Sequence, residues 1–143
     1  LLLLTFPGAP SIYYGDEVGL PGGIDPDSRR GFPLESDWDL EIYQYHHQLI
    51  QLRHTYPALR TGEYRILYAE GTTYVFVRVL DEQEILVALN VGTVPVKAQL
   101  NWSAFNLNSK PNQCVFGQAD FSWTGEQEIR HLELNLPERS GCI

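Results

Sequence analysis

Glu63-Tyr64-Arg65-Ile66-Leu67-Tyr68-Ala69-Glu70, Gly71-Thr72 and Thr73-Tyr74-Val75-Phe76-Val77-Arg78-Val79-Leu80 form the stretch whose period decides the fold. Tyr64, Ile66 and Tyr68 alternate with Arg65, Leu67 and Ala69. Beyond the turn at Gly71, Tyr74, Phe76 and Arg78 alternate with Val75, Val77 and Val79. A period of two puts successive side chains on opposite faces, which is the mark of a strand. Asp81-Glu82-Gln83 supplies the next turn, and Ile85 to Asn90 is a nearly continuous apolar strand. Further strands are expected at Val94–Trp102, Gln113–Phe116, Phe121–Trp123, Glu128–Leu136 and Arg139–Ile143, with a loop from Ser103 to Gln113. Seven or eight short strands separated by turn signals predict an antiparallel β-sandwich over residues 61–143.

Residues 1–60 are different material. Leu1 to Thr5 reads as the last turn of a helix, stopped by the corner Phe6-Pro7-Gly8-Ala9-Pro10. Ser11-Ile12-Tyr13-Tyr14-Gly15 reads as a short strand covered on both faces, and Asp16 to Pro33 as a long Gly- and Pro-rich loop. Ser36 is the expected N-cap of a helix, with Asp39 completing a short-armed capping box. Trp38, Ile42, Tyr45, Leu49, Leu52 and Tyr56 recur at spacings of 4, 3, 4, 3 and 4, so they line one helical face that ends before Pro57. Arg53 and His54 in the last turn suit the helix dipole.

The 143 residues hold 43% hydrophobic and 20% charged side chains, the composition of a folded soluble chain. A net charge of −8 argues against binding a phosphate backbone or an anionic membrane through bulk charge. The longest apolar run, Leu1 to Leu4, falls far short of the ~20 residues a membrane helix needs, and it lacks the charged leader of a signal peptide. There is no Met, and the chain opens inside an apolar stretch with no capping residue before it. The expectation is a segment of a longer protein.

Several groups could carry chemistry. Asp16-Glu17 would point to opposite faces of an extended chain and so could not flank one substrate bond. Asp25-Pro26-Asp27-Ser28-Arg29-Arg30 is the densest polar cluster. A carboxylate acceptor and a guanidinium fork there could bind neighbouring sugar hydroxyls, or Asp27 could simply pair with Arg29 or Arg30 within the loop. His46 and His47 diverge on a helix, and no metal-ligand spacing is present. Cys114 and Cys142 allow at most one bridge. Trp102 and Trp123, with Tyr64, Tyr68 and Tyr74, could form a sugar-stacking platform or pack in the core.

The run from Phe6 to Leu20 (FPGAPSIYYGDEVGL), followed by Gly22-Gly23-Ile24-Asp25-Pro26-Asp27-Ser28-Arg29-Arg30, resembles the late barrel region of the alpha-amylase superfamily, nearest its neopullulanase, cyclomaltodextrinase and alpha-glucosidase branches. Leu52 to Gly62 is similar to the last barrel helix leading into the C-terminal domain, and Ile85 to Asn90 to a strand of that domain. The resemblance implies that residues 1–60 end a catalytic (β/α)₈ barrel and 61–143 form the C-terminal β-sandwich. Ser11–Gly15 would be the eighth barrel strand, Asp16–Pro33 its loop and Ser36–Tyr56 the eighth helix.

By the same resemblance, Asp25 and Arg29 would contact a glucose unit on the non-reducing side of the cleavage point, while Arg30 has no equally firm counterpart. The catalytic Asp nucleophile, Glu acid/base and third Asp of the family lie upstream, so no residue of this chain is expected to be catalytic. The implied parent is an α-glucan hydrolase or transglycosylase acting on α-1,4-glucosidic bonds through two carboxylates. No cofactor is expected, and calcium binding by the parent is open. Starch or maltodextrin oligosaccharides are the expected partners, and the uncovered barrel-facing surface would favour self-association. A non-catalytic starch-binding module acting through Trp102 and Trp123, and a purely structural cap, are the alternatives. Two uncommitted cysteines lean toward the cytoplasm.

Overall fold

The computed structural model describes residues 1–125 and 130–143. Its order is α1 (Leu2–Thr5), α2 (Leu40–Thr55), α3 (Ala58–Thr61), β1 (Glu63–Glu70), β2 (Thr73–Leu80), β3 (Gln83–Asn90), β4 (Val96–Asn101), β5 (Asp120–Thr124), β6 (His131–Leu136) and β7 (Ser140–Cys142). Two antiparallel sheets result, ordered β1-β2-β3-β7 and β4-β6-β5. The two-residue hairpin at Asp81-Glu82 needs a left-handed first residue, and Asp81 takes φ 51° while Gly71 takes 57° in the turn before it.

The antiparallel sandwich expected from the alternation is present. Val75, Ala88, Ala98, Leu100, Trp102, Leu132, Leu134, Leu136 and Cys142 form the apolar layer between the sheets. The first sheet is also covered on its other face. Leu4, Leu49 and Leu59 from the helices meet Phe76, Val87, Leu89 and Ile143 there. This second apolar layer crosses residues 60 and 61, so β2 is buried on both sides and the molecule has three layers.

Two buried polar side chains organise this frame. Asn90 makes four hydrogen bonds: its amide nitrogen donates to the carbonyls of Val94 (2.9 Å) and Pro137 (2.8 Å), and its oxygen accepts from Gly92 N (2.9 Å) and Thr72 Oγ1 (3.0 Å). It thereby fixes the crossing from the first sheet to the second. Arg78 is 1% exposed on the helix-facing side of β2. It donates through Nη1 to Thr5 O (2.8 Å) and Leu59 O (3.0 Å), and through Nη2 to Gly62 O (2.9 Å).

Several expectations are corrected. Ser11–Gly15 joins no ladder, because a strand requires a partner and none of the described strands pairs with it. Asp39, not Ser36, caps α2: its carboxylate accepts from Glu41 N and Ile42 N, both at 3.0 Å. Glu35–Asp37 forms a separate 3-10 turn, which removes Ser36 from the capping position. Gln113–Phe116 is not a strand. Only Val115 N to Ile143 O (2.8 Å), Ile143 N to Phe116 O (3.0 Å) and a single bridge from Gly117 to Cys142 tie that stretch to β7.

The strand expected from Val94 begins at Val96, and Trp102 falls in a 3-10 turn after β4. Glu128 and Ile129 of the Glu128–Leu136 strand lie outside the described residues. The strict alternation assigned to β1 is broken by a bulge, since the register shifts between Ile66 and Tyr68. Tyr64 therefore packs on the helix side while Leu67 and Tyr68 both pack on the inter-sheet side.

Arg78→Met keeps an apolar stem but leaves the Thr5 and Gly62 carbonyls without their donor. The expected loss is about 2–4 kcal/mol, read as a lower urea midpoint with an unchanged m-value.

Candidate functional site

The Gly- and Pro-rich segment between Gly15 and Leu34 grows from a fixed corner. Gly15 takes φ 92°, and a Cβ there would meet the Leu20 side chain at 2.6 Å. The Gly15 carbonyl accepts from Val18 N (3.1 Å) and Leu20 N (2.9 Å), and Gly15 N donates to the Glu17 carboxylate at 2.9 Å. Asp16 and Glu17 thus sit in a 3-10 turn and not on extended chain. Glu17 holds its own loop and Asp16 is exposed.

At the far end of the loop, the Tyr14 hydroxyl donates to Arg30 O (2.8 Å), closing it across sixteen residues. Partial loss of solvent around the bonded hydroxyl is the first cause raising Tyr14 above its ordinary value, with neighbouring Tyr13 adding to it and Arg29 opposing it.

Of the two possibilities left open for the polar cluster, the pairing within the loop is realised, between Asp27 and Arg30. Arg30 grips Asp27 with two contacts, Nε to Oδ1 and Nη2 to Oδ2, each 2.6 Å. That hydrogen bonding holds the Asp27 carboxyl below its ordinary value and raises the Arg30 guanidinium. Asp27 also occupies the space beside Gly23, where a Cβ would come within 2.8 Å of its Oδ2. Arg29 and Asp25 make one contact, Nη2 to Oδ1 at 2.8 Å, with side chains 72% and 61% exposed. One pair closes the loop on itself with matched forks, and the other stands open to solvent.

Apolar side chains surround these charges. Tyr13 and Tyr14 lie 4.8 Å apart, ring to ring, and both are exposed. Ile24 is 93% and Leu34 74% exposed. Phe32 stands edge-on to Trp38, which in turn lies 5.3 Å from Tyr43. The helical face expected from the spacing divides: Leu49, Leu52 and Tyr56 pack on the first sheet, while Ile42 and the neighbouring Leu40 and Tyr43 remain open.

The aromatic platform does not assemble as an open face. Trp102 is buried, donates through Nε1 to Ser109 O (3.2 Å) and meets Trp123 edge to face at 5.4 Å. Lys110 covers the Trp123 ring with its ammonium 5.1 Å from the centroid. Tyr64 and Tyr74 bond to one another through their hydroxyls, and Tyr68 donates to Glu70 at 3.0 Å. His46 uses Nδ1 on the Ile42 carbonyl (2.9 Å), and His47 stacks on Tyr43. Among the described residues, no three His, Cys, Asp or Glu side chains come together as a metal site.

Three positioning residues escaped sequence reasoning. Arg53, expected only to complement a helix dipole, is buried and donates to Leu4 O (2.8 Å), Leu59 O (2.7 Å) and Gly8 O (2.5 Å). Arg78 was visible only as one member of an alternating face. Glu84 accepts from Asn108 N, Ser109 N and Ser109 Oγ, at 2.7, 2.7 and 2.5 Å, and so pins the loop after β4. Burial pushes the Glu84 carboxyl up, but these donors outweigh it and the net displacement is downward. No local motif marks any of them, since each works through partners distant in sequence.

The alpha-amylase C-terminal domain family model matches residues 62–143. Neopullulanase 2 of Thermoactinomyces vulgaris is 38% identical over 95 residues, covering 63% of this chain and 16% of that protein. An amylopullulanase of Thermoanaerobacterium saccharolyticum is 37% identical across the whole chain, which spans 12% of its length. The debranching enzyme from Nostoc punctiforme is 57% identical, with a TM-score of 0.90 over 99% of this chain and 28% of that structure. The chain thus spans a small part of each relative, and its similarity to the debranching enzyme extends through the loop and helix that precede the sandwich. With more than half of its residues matched and its two sheets in place, the chain belongs to the alpha-amylase C-terminal domain family.

Proposed function

We propose that this chain is the C-terminal portion of an enzyme that hydrolyses or transfers α-1,4-linked glucan, with residues 1–60 ending its barrel and 61–143 capping it. The names of its relatives, glycoside hydrolases of α-glucans, support the reaction class. The observation that carries the reading is the solvent-open Asp25–Arg29 pair on a loop closed by Asp27–Arg30 and Tyr14. The open apolar side chains of Tyr13, Ile24, Leu34 and Leu40 support a role for upstream barrel strands as their cover. Without that cover, the same surface drives self-association.

In this reading the chain supplies no catalytic group. The two carboxylates that cleave the glucosidic bond belong to upstream barrel strands, and neither cofactor nor metal is drawn from these residues. Asp25 and Arg29 bind a glucose unit away from the scissile bond. The single contact between them leaves a second carboxylate oxygen to accept from one sugar hydroxyl and further guanidinium N–H groups to donate to its neighbour. Remote contacts of this kind hold the bond in register with the catalytic carboxylates. The start of α2 holds the loop's root, with Asp39 N donating to Val18 O at 3.0 Å. A cytoplasmic setting is proposed from the two free cysteines.

Release of reducing sugar from maltotriose and soluble starch is expected from the intact enzyme and absent from residues 1–143 alone; activity in the short chain would overturn the placement of the catalytic groups. Within the intact enzyme, Arg29→Ala is expected to lower kcat/KM on longer oligosaccharides roughly 10- to 100-fold, the loss of one charged hydrogen-bonding group, and to leave maltose nearly unchanged. Equal values for wild type and variant on both substrates would remove Arg29 from the site.

The Asp27–Arg30 brace carries a pH signature. Because the folded Asp27 carboxyl sits below its ordinary value of 3.8, the brace is complete above that value and is lost as pH falls through the lowered one. An NMR titration of the carboxyl carbons is expected to place Asp27 below 3.8, and Arg30→Gln to return it upward.

A further inference from the structure

Cys114 lies three residues before Gly117, which bridges Cys142 at the edge of the first sheet. Residues 115–117 run antiparallel along β7: Val115 N donates to Ile143 O, Ile143 N donates to Phe116 O, and Gly117 bridges Cys142. Just before this stretch, the exposed Cys114 turns its thiol forward along the chain, donating to Phe116 O at 3.1 Å and lying 3.8 Å from Gly117 O. Cys142 is buried in the inter-sheet layer, and the Cys114 side chain is near enough to act on its thiol. Both residues line one cavity of about 190 Å³, walled also by Trp102, Phe121 and Leu134.

We propose that Cys114 and Cys142 form a dithiol site that low-molecular-weight disulfides convert into an intramolecular bridge, stapling the loop before β5 to the C-terminal strand. This inference does not depend on the glucan reading. The order of events follows from the two environments. Burial first, and the neighbouring Cys114 second, push the Cys142 thiol up to about 12, so it is a poor first nucleophile. The exposed Cys114 thiolate attacks one sulfur of the small disulfide, forming a mixed disulfide and releasing one thiol. Cys142 sulfur then attacks the Cys114 sulfur, breaking the mixed disulfide and releasing the second thiol. Two protein thiols are oxidised, one small disulfide is reduced, and the two protein protons end on the two departing thiols.

The bridge would complete a hold that the structure only half makes. Glu84 anchors the loop at Asn108 and Ser109, whereas its later half is held by two backbone hydrogen bonds and one bridge. Oxidation should therefore slow proteolysis between residues 109 and 117 several-fold and raise Tm by a few degrees.

The test is peptide mapping of the intact protein after incubation with glutathione disulfide and alkylation of the remaining thiols. The expected product is a peptide pair joining Cys114 to Cys142, lighter by two hydrogens than the reduced peptides and restored by dithiothreitol. In Cys114→Ser, Cys142 should stay reduced and unmodified in the folded protein. A glutathione adduct that persists on wild-type Cys114 while Cys142 remains a free thiol would overturn the proposal. So would Cys114 joined to Cys114 of a second molecule in place of the internal bridge.

Discussion

Two guanidiniums are buried side by side with no carboxylate among the described residues to answer them, and the rest of the molecule is arranged around that fact. Arg53 and Arg78 both donate to the Leu59 carbonyl. Their remaining bonds reach Leu4, Phe6, Gly8, Thr5 and Gly62, all through backbone oxygens. Burial, then the Arg60 charge, holds Arg53 below the ordinary arginine value, and burial, then Arg53, does the same to Arg78. Such a pair is tolerable only where many acceptors converge. Here most of them come from the ends of α1 and α3, whose last carbonyls lack helical partners and carry the negative end of the peptide dipoles, and Gly8 adds one from the chain beyond α1. Each guanidinium satisfies orphan acceptors, and the acceptors replace a counter-ion.

That exchange explains the shape of the short elements. α3 ends after four residues, and the carbonyls of Leu59 within it and of Gly62 just beyond it accept from Arg78. Gly62 follows it because a Cβ there would lie 2.5 Å from Ala58 O and 2.8 Å from Val79 O. α1, the chain through Gly8, α3 and β2 become one unit held by charge-assisted bonds, with the apolar layer of Leu4, Leu49, Leu59 and Phe76 beside it. The loop bearing Asp25 and Arg29 then starts from an anchored point and not from a free terminus.

The sequence displayed the parts of this fold that depend on near neighbours. Alternation in 63–90 revealed two hairpins, and spacing in 38–56 revealed α2, because side-chain period follows directly from backbone geometry. What depends on distant partners stayed hidden. The bulge at Leu67 moves Tyr68 to the other face, and it exists in the pairing with β2, not in the composition of β1. Ser11–Gly15 has a strand's composition, but strand formation is a property of a pair. Arg53 is ambiguous by residue type, since a surface arginine in a last helical turn and a buried one read alike. Within the loop, spacing placed Asp27 within reach of both Arg29 and Arg30, and only the fold, with Tyr14 drawing on Arg30 O, separates the two.

Four arginines, Arg29, Arg30, Arg53 and Arg78, divide by environment. Arg53 and Arg78 are desolvated, so every donor they lose strands a carbonyl, and their contribution is to architecture. Arg29 meets Asp25 at a side chain 72% exposed, where solvent screens the pair and an ion pair adds little to stability. A ligand that borrows the outer donors of Arg29 therefore disturbs no packing. Arg30 stands between these cases: exposed, but matched to Asp27 by two parallel contacts that fix the loop's curvature. Asp25 and Arg29 can thus exchange partners on a loop that keeps its shape, because Arg30 closes it locally and the buried pair anchors its root. Rigidity and availability have been assigned to different copies of one residue type. The surrounding dielectric, more than the sequence motif, decides which copy does which.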